Sequence, residues 1–524
     1  MDRILVTEKI APEGLAALKA GGEVVVKLDL DKAALLATIP EYEALVVRSA
    51  TKVTAEVIAA GTKLKVIGRA GSGVDNIDVD AATQHGITVV NAPASNNIAV
   101  AELSLGLLLS LARQIPIAHS SVQAGKWERT RFMGWEVRGK VLGLVGLGRI
   151  GSEIAKRARS FEMTVIAYDP VVSTDRAAQI GVELVPLEDL IKRSDVISIH
   201  VPMLDSTRNM FDAAAIAQMK RGSFLINASR GGIVDEEALV AALDSGQLAG
   251  AALDVFSAEP PVGVKAATHP KVIVTPHIGA STEEAQTLTG TDVAEGVVAA
   301  LAGGTPRYAV NAPFVAPEAW GVLGPYIRLG QQMGALCTKL VQEPVHHYSI
   351  EYWGELAEVE NQPVRLAVIQ GLIASTYEGR ITPVNAPLVA RERGLRISER
   401  SEPVSESYAG LLVLRAETAE GPHSFSGTVL RDEPHIVEVD NYWVDFVPTG
   451  SLLITYHRDR PGMIGRVGTI LGSADVNISG MYVGRQAPRE QAMMVLTLDE
   501  AASDAVVATI EAEADITRAV SVTL

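Results

Sequence analysis

The chain has 524 residues and a single cysteine, Cys337. One thiol excludes any intrachain disulfide or cysteine-built zinc site and fits a reducing compartment. Cys337 lies in an apolar, helix-like run, the setting of a buried structural thiol. Basic residues are also short: 46 Lys and Arg face 62 Asp and Glu, for a formal charge of −16. That balance argues against non-specific binding to nucleic acid or an anionic membrane, although a local basic pocket can still hold an anion. Long apolar runs are missing. The longest, Leu103 to Ala112, falls short of the roughly 20 residues that span a bilayer. No low-complexity tail is present, and the N-terminus enters an Ile4-Leu5-Val6 run without a secretory h-region, so a cytoplasmic protein is expected. No metal site is expected either: the adjacent His346 and His347 would point to opposite faces of a strand.

What is present is ordinary globular sequence, 48% hydrophobic and 21% charged. At roughly 150 residues per domain it should divide into three or four. Its organising stretch is Val141 to Pro170, VLGLVGLGRIGSEIAKRARSFEMTVIAYDP. A β-prone run, Val141–Val145, leads into Gly146-Leu-Gly148-Arg-Ile-Gly151. A helical pattern follows with Ile150, Ile154, Ala155 and Ala158 on one face, and a second β-run from Thr164 to Tyr168 ends at Asp169. Strand, glycine turn, helix, strand and acid together form a dinucleotide fingerprint. Gly146 permits the tight turn, Gly148 lets the backbone approach a pyrophosphate, and Gly151 lets the helix pack on the strand. The helix N-terminus offers free N–H groups to phosphate, and Asp169 stands where an acid accepts a ribose 2′-hydroxyl. No cation follows in Pro170-Val-Val-Ser-Thr174, so a 2′-phosphate would meet an acid alone, which favours NAD over NADP.

On either side the chain alternates short β-rich runs with helical patterns, the rhythm of parallel α/β sheets. Up to about residue 92 the strands are Ile4–Thr7, Glu23–Lys27, Ala44–Arg48, Lys65–Arg69 and Thr88–Asn91. In open α/β sheets ligands sit beyond the strands' carboxyl ends. Arg48 lies at one such end, and Gly71-Ser72-Gly73, following another, can form a backbone nest for a carboxylate. The helix Ala99–Arg113 is apolar nearly all round, as in a buried or interface helix. The loop after it carries Lys126, Arg129 and Arg131 beside Trp127 and Phe132, a cationic cluster suited to a phosphate.

Past Asp169, three more strand ends carry chemistry: Arg230 after Ser223–Asn227, Glu259 after Ala249–Val255, and His277 after Val272–Thr275. Singly, Arg230 can cap a strand, Glu259 can be solvated and His277 can sit in a turn. Together they suit alcohol oxidation by hydride transfer. A histidine takes the hydroxyl proton, a carboxylate fixes its tautomer and stabilises the imidazolium, and an arginine binds a substrate carboxylate.

GLGRIG, NASRGGIVDEEAL, DVFSAEPP and TPHIGAST, in that order, resemble the D-isomer-specific 2-hydroxyacid dehydrogenases. VRSATKVT, GRAGSGVDNID and GKWERTRFMG narrow the resemblance to the branch that oxidises 3-phospho-D-glycerate in the first step of L-serine biosynthesis. The resemblance implies an α/β architecture in which a Rossmann-type NAD domain (99–282) is inserted in a flavodoxin-like substrate domain (1–98 and 283–318). It implies Arg230, Glu259 and His277 as the catalytic set. For the cofactor it implies Ser72, Gly146, Gly148, Arg149, Ile150, Gly151, Asp169, Ala228, Ser229, Arg230, Asp254, His277, Gly279 and Ala280. For the substrate it implies Arg48, Ser72, Gly73, Asn96, Arg230 and His277, with Arg129 and Arg131 reaching a dimer partner's site. A homotetramer and a side reduction of 2-oxoglutarate to 2-hydroxyglutarate belong to the same implication.

Residues 319–447 carry strand-like runs but no nameable chemistry, and support only a further α/β domain, the intervening domain of the family's long form. Residues 451–524 read βαββαβ, a ferredoxin-like order, with a helix expected from Pro461 to about Ser473. His457-Arg-Asp459-Arg-Pro-Gly462 followed by Asn477 resembles an ACT domain, which binds small amino acids between paired copies. His457, Asp459 and Asn477 are then the effector residues, and L-serine the effector. Two rival readings remain: another D-2-hydroxyacid dehydrogenase, acting on glycerate or lactate, and a nucleotide-sensing, protein-binding module on the same fold.

Overall fold

The computed structural model describes residues 1–313 and 319–524, so the expected domain boundary at residue 318 lies outside the described residues. Four sheets carry the described residues. The first has five parallel strands, Arg3–Val6, Glu23–Val26, Ala44–Val47, Val66–Arg69 and Thr88–Val90, in the order second, first, third, fourth, fifth. That is the flavodoxin-like order, and the strands are the apolar runs that sheets buried on both faces require. Side chains of Asp31 and Asp78 accept N–H bonds at the starts of Lys32–Thr38 and Val79–Gln84, which fixes where those helices begin. The helix Glu283–Leu301 returns to this sheet, burying Val293, Ala294 and Val297 against Ile4, Val46 and Val66.

The second sheet has seven parallel strands in the order Val272–Val274, Leu248–Leu253, Ser223–Asn227, Val196–Ile199, Val141–Val145, Thr164–Tyr168, Glu183–Leu184. The order reverses beside Val141–Val145, the topological switch point at which doubly wound sheets open a crevice. The helix expected from Ala99 begins at Asn97. Its all-round apolar character follows from its position, with Leu105, Leu107, Leu108 and Leu111 in one core with Leu142, Leu144 and Ile154. Among the described residues no single helix is long and apolar enough to cross a membrane.

The third sheet runs Ile397–Glu402, Val345–Gly354, Gly410–Thr418, Gly421–Leu430, Glu433–Val439, Tyr442–Phe446, antiparallel except for its first pair. The helices Trp320–Leu340 and Gln362–Ala374 accompany it, and Cys337 is buried between them and the sheet. The fourth sheet, in the order Ile478–Arg485, Gln491–Leu498, Ser451–Arg458, Ile516–Thr523, is antiparallel and ferredoxin-like. Its first helix starts at Met463, two residues later than Pro461, because Gly462 adopts a left-handed conformation (φ 92°) at the cap.

The last two sheets share a core. Leu452, Ile454, Met493, Val495 and Val522 pack in one cluster with Tyr442, Val444, Phe446 and Leu323 of the neighbouring unit. A ferredoxin-like sheet has one face covered by its own helices, and here the neighbour covers the other. These units should therefore unfold as one. Phe446→Ala, at a side chain with no exposed surface, should cost roughly 3–5 kcal/mol. Hydrogen exchange should show Val345–Gly354 and Ser451–Arg458 losing protection together, whereas loss confined to the third sheet would contradict a common core.

Candidate active site

The glycine turn meets the steric demands of the fingerprint. Gly146 has φ 97°, and a side chain there would strike the His200 carbonyl; one at Gly151 would strike the Gly146 carbonyl. At Gly148, by contrast, an added Cβ would have no neighbour within 4 Å. The result is a tight turn with open space over its middle glycine, at the N-terminus of the helix Arg149–Ser160, which fits a dinucleotide's pyrophosphate. Asp169 ends the neighbouring strand. Its carboxylate accepts N–H bonds from Leu147 (2.8 Å), Val171 (2.9 Å) and Val172 (3.1 Å), so the acid is braced against the turn it serves. Arg149 is exposed and Ile150 half-buried at the helix start.

His277 and Glu259 come together as the motifs anticipated: Nδ1 lies 2.8 Å from Glu259 Oε2. A carboxylate only accepts, so Nδ1–H donates and Nε2 is left as the free basic nitrogen. Glu259 Oε1 in turn accepts from the Phe256 N–H at 3.2 Å. His277 itself sits at φ 53°, a left-handed backbone unusual for a non-glycine residue. Asp254, 1% exposed, holds it there. The Asp254 carbonyl accepts the His277 N–H (2.9 Å), Oδ1 accepts Thr275 Oγ1 (2.6 Å) and the Ile278 N–H (2.8 Å), and Oδ2 accepts the Gly279 N–H (2.9 Å). Asp254 is thus the brace of the histidine loop.

Arg230 extends from the second sheet to the first. Its Nε donates to Asp75 Oδ2 (3.1 Å), one terminal nitrogen donates to the Ser229 carbonyl (2.8 Å), and the guanidinium lies so close to Gly73 that a Cβ there would overlap it. The loop Gly71–Gly73 and Arg230 therefore meet across the cleft between the sheets. Ser229 is turned by its own bonds to Asn227 Oδ1, leaving Ala228 buried at the strand end, and the Ala280 carbonyl accepts from Gln286 Nε2. Ser72 is anchored by Asn91, whose amide donates to its carbonyl at 2.5 Å. Asn96 opens the helix Asn97–Arg113 with a buried, unpaired Oδ1.

Arg48 follows its strand as anticipated, and one residue of the cleft was missed. Arg69 ends the strand beside it, with its guanidinium over Gly71. Burial, reinforced by the positive charge of Arg230, pulls its pKa down to about 10 against the opposing pull of Asp75. The signal was available, since Arg69, like Arg48, is an arginine at a strand's carboxyl end, and it stands just before the Gly71–Gly73 loop.

Arg129 and Arg131 form a short exposed turn, where Arg131 pairs with Glu128 (3.0 Å) and covers Phe132. Among the described residues no hydrogen bond or ion pair joins either to the cleft segments 48–51, 69–75 or 227–230, and the polar contacts of Arg131 are local, to Glu128. The effector triplet is likewise divided. His457 (2% exposed, its pKa lowered by burial) and Asp459 lie at one end of the fourth sheet, where the Asp459 carboxylate accepts from the Arg489 N–H (3.1 Å) and Arg485 (3.3 Å). Asn477 lies at the other end, bonded to Asp499 (2.6 Å). The strands Ser451–Arg458 and Ile478–Arg485 run parallel on either side of Gln491–Leu498, so the end of one and the start of the other are about 20 Å apart within one chain.

Three family models match: the D-isomer specific 2-hydroxyacid dehydrogenase NAD binding domain over residues 105–279, the D-3-phosphoglycerate dehydrogenase intervening domain over 322–440, and the ACT domain over 451–515. A D-3-phosphoglycerate dehydrogenase of Synechocystis is 44% identical over 100% of this chain and 95% of its own. That of Bacillus subtilis is 41% identical over 97% of each. Among solved structures, the TT0316 protein of Thermus thermophilus matches 59% of this chain and 99% of its own at 35% identity, TM-score 0.55. The D-lactate dehydrogenase of Aquifex aeolicus, complexed with NAD and lactic acid, matches 60% and 100% at 28% identity, TM-score 0.54. With a fingerprint turn, a histidine–glutamate pair, a cleft-spanning arginine and full-length relatives of one description, this chain belongs to the D-3-phosphoglycerate dehydrogenases, within the D-isomer-specific 2-hydroxyacid dehydrogenase family.

Proposed function

We propose that the chain oxidises 3-phospho-D-glycerate to 3-phosphohydroxypyruvate, the entry step of L-serine biosynthesis. The observation that carries the reading is the cleft, in which Arg48 and Arg69 from one sheet and Arg230 from the other gather positive charge within a chain of net charge −16. A substrate with a phosphate at one end and a carboxylate at the other calls for such a set, while lactate or glycerate does not. Arg230 and the amides of Gly71–Gly73 hold the carboxylate, with Ser72 and Asn96 beside them, and Arg48 takes the phosphate, joined by Arg129 and Arg131 of a partner subunit. Arg230 then exchanges its bond to Asp75 for one to the substrate. His277 Nε2 takes the C2 hydroxyl proton, and Glu259 stabilises the imidazolium that forms. The turn Gly146–Gly151 and Asp169 would hold NAD, which would supply the acceptor for the C2 hydride as the C2–O bond becomes a carbonyl. The carboxylate of Asp169, with no cation after it, selects NAD over NADP.

The division into domains at 1–98 with 283–318, 99–282, 319–447 and 451–524 is part of the same reading, as is a cytoplasmic homotetramer. Ile98, Ile115, Ile117, Val122, Trp127 and Met133 are exposed apolar side chains on and after the helix Asn97–Arg113 that a partner subunit would cover. L-serine is the proposed inhibitor. The strand Ile478–Arg485 is an edge of its sheet. Antiparallel pairing of two copies along it would bring Asn477 of one to His457 and Asp459 of the other, so the effector site exists only in the assembled enzyme.

NADH formation followed by absorbance should show kcat/KM for 3-phosphoglycerate roughly 100-fold above that for D-glycerate, the worth of one or two charge-assisted hydrogen bonds. Equal rates would move the assignment to another D-2-hydroxyacid, and no turnover on phosphoglycerate, glycerate or lactate would leave the nucleotide-sensing module. The double variant His457→Ala, Asn477→Ala should weaken serine inhibition about tenfold or more, through two lost polar contacts. Unchanged inhibition would remove those residues from the effector site.

A further inference from the structure

The turn that carries Arg48 is held by a carboxylate to which the reaction assigns no part. After the strand Ala44–Val47 the chain turns through Arg48-Ser49-Ala50-Thr51, leaving its N–H and C=O groups without ladder partners. Glu8 supplies the acceptors. Its Oε1 takes the N–H groups of Arg48 (2.8 Å) and Thr51 (2.9 Å), and its Oε2 takes that of Ala50 (3.2 Å). Asn76, 8% exposed, supplies the donors, as its Nδ2 reaches the carbonyls of Arg48 (2.7 Å) and Thr51 (2.7 Å). The Arg48 guanidinium completes the arrangement by donating to the carbonyl of Lys9, the residue after Glu8, at 3.3 Å. Burial pushes the Glu8 carboxyl pKa up, yet the N–H bonds of Thr51, Arg48 and Ala50 outweigh it and hold the group below its ordinary range. Glu8 is therefore an anion seated in a backbone nest. Asn76 adjoins Asp75, the partner of Arg230, so the clamp connects the two ends of the substrate cleft.

We propose that Glu8 is a positioning residue for substrate phosphate: by charge and by its two acceptor oxygens it fixes the turn from which Arg48 projects. The inference rests on the reading that Arg48 binds the phosphate. Glutamine cannot replace Glu8 on equal terms. It has one acceptor oxygen where three N–H groups converge, and its NH2 would face one of them donor to donor. An arginine on a loosened turn must be ordered at each binding event, which raises KM rather than lowering the rate of hydride transfer.

Steady-state kinetics of Glu8→Gln, Arg48→Ala and the double variant test this. Glu8→Gln should raise KM for 3-phosphoglycerate about tenfold, with kcat, KM for NAD and kcat/KM for D-glycerate each changed by less than about twofold. In the Arg48→Ala background the same substitution should add nothing, because the two residues act as one unit. An unchanged KM in Glu8→Gln beside a raised one in Arg48→Ala would overturn the role of Glu8, and so would effects that simply multiply or that fall equally on D-glycerate. An unchanged KM in Arg48→Ala would instead overturn the reading of Arg48. Should Glu8→Gln fail to fold, Glu8→Asp decides: it keeps the charge and withdraws it by one methylene. A KM for 3-phosphoglycerate raised by about threefold or more, absent in the Arg48→Ala background, is the expected result, and an unchanged KM overturns the proposal.

Discussion

His277 is held in a backbone conformation that costs on the order of 1–3 kcal/mol for a residue with a Cβ, and the buried carboxylate of Asp254 is what keeps it there. Asp254 ends its strand and spends both oxygens on the loop that follows, accepting from Thr275, Ile278 and Gly279. Asn227, at the end of the adjacent strand, joins that loop to the next. Its carbonyl accepts the Asp254 N–H, and its side-chain amide donates to the Arg230 carbonyl. Two neighbouring strand ends thus lock the histidine loop and the arginine loop in one register. Fully satisfied, such a buried network is rigid; with one member removed, the remaining polar groups would be left unpaired at high cost. This rigidity lets a single hydrogen bond from His277 Nδ1–H to Glu259 set the tautomer of His277.

The first sheet contributes the other half of the cleft by the same economy of strand ends. Arg48 follows one strand and Arg69 ends its neighbour, and the glycine loop beyond Arg69 receives Arg230. The intervening unit touches this sheet at the opposite ends of its strands. Arg380 donates to the Leu64 carbonyl, Thr382 to that of Gly86 and Asn385 to that of Gln84, just before Val66–Arg69 and Thr88–Val90 begin. Since that unit also shares its core with the C-terminal sheet, packed elements run unbroken from the ACT-domain sheet to the strands that carry Arg48, Arg69 and Gly71–Gly73.

Much of this was legible in the sequence, and the part that was not has physical reasons. The glycine turn was readable because its demands are local: a left-handed Gly146, an unobstructed Gly148 and a close-packed Gly151 within six residues. Arg230, Glu259 and His277 were readable because each follows a β-run, and strand carboxyl ends converge in a parallel sheet. Glu8 and Asp254 were not readable as braces, because a carboxylate that binds backbone N–H groups is indistinguishable in sequence from one that is solvated. Arg69 is the last residue of its strand, and sequence pattern alone does not show that its side chain turns over Gly71 into the cleft. The separation of Asn477 from His457 within one chain follows from the ferredoxin-like order itself, whose first two strands run parallel on either side of the third. The late start of the helix at Met463 turned on the backbone angle of Gly462, where Pro461 was the stronger local signal.

His277, set by Asp254 and oriented by Glu259, is the group we propose moves the substrate proton. The most direct test of this role is kcat for 3-phosphoglycerate oxidation by His277→Gln in the folded holoenzyme. A fall of roughly 10²–10⁴-fold is expected, the range of general acid–base catalysis, with KM for NAD within about twofold of the parent enzyme. A kcat within about tenfold of the parent would contradict it.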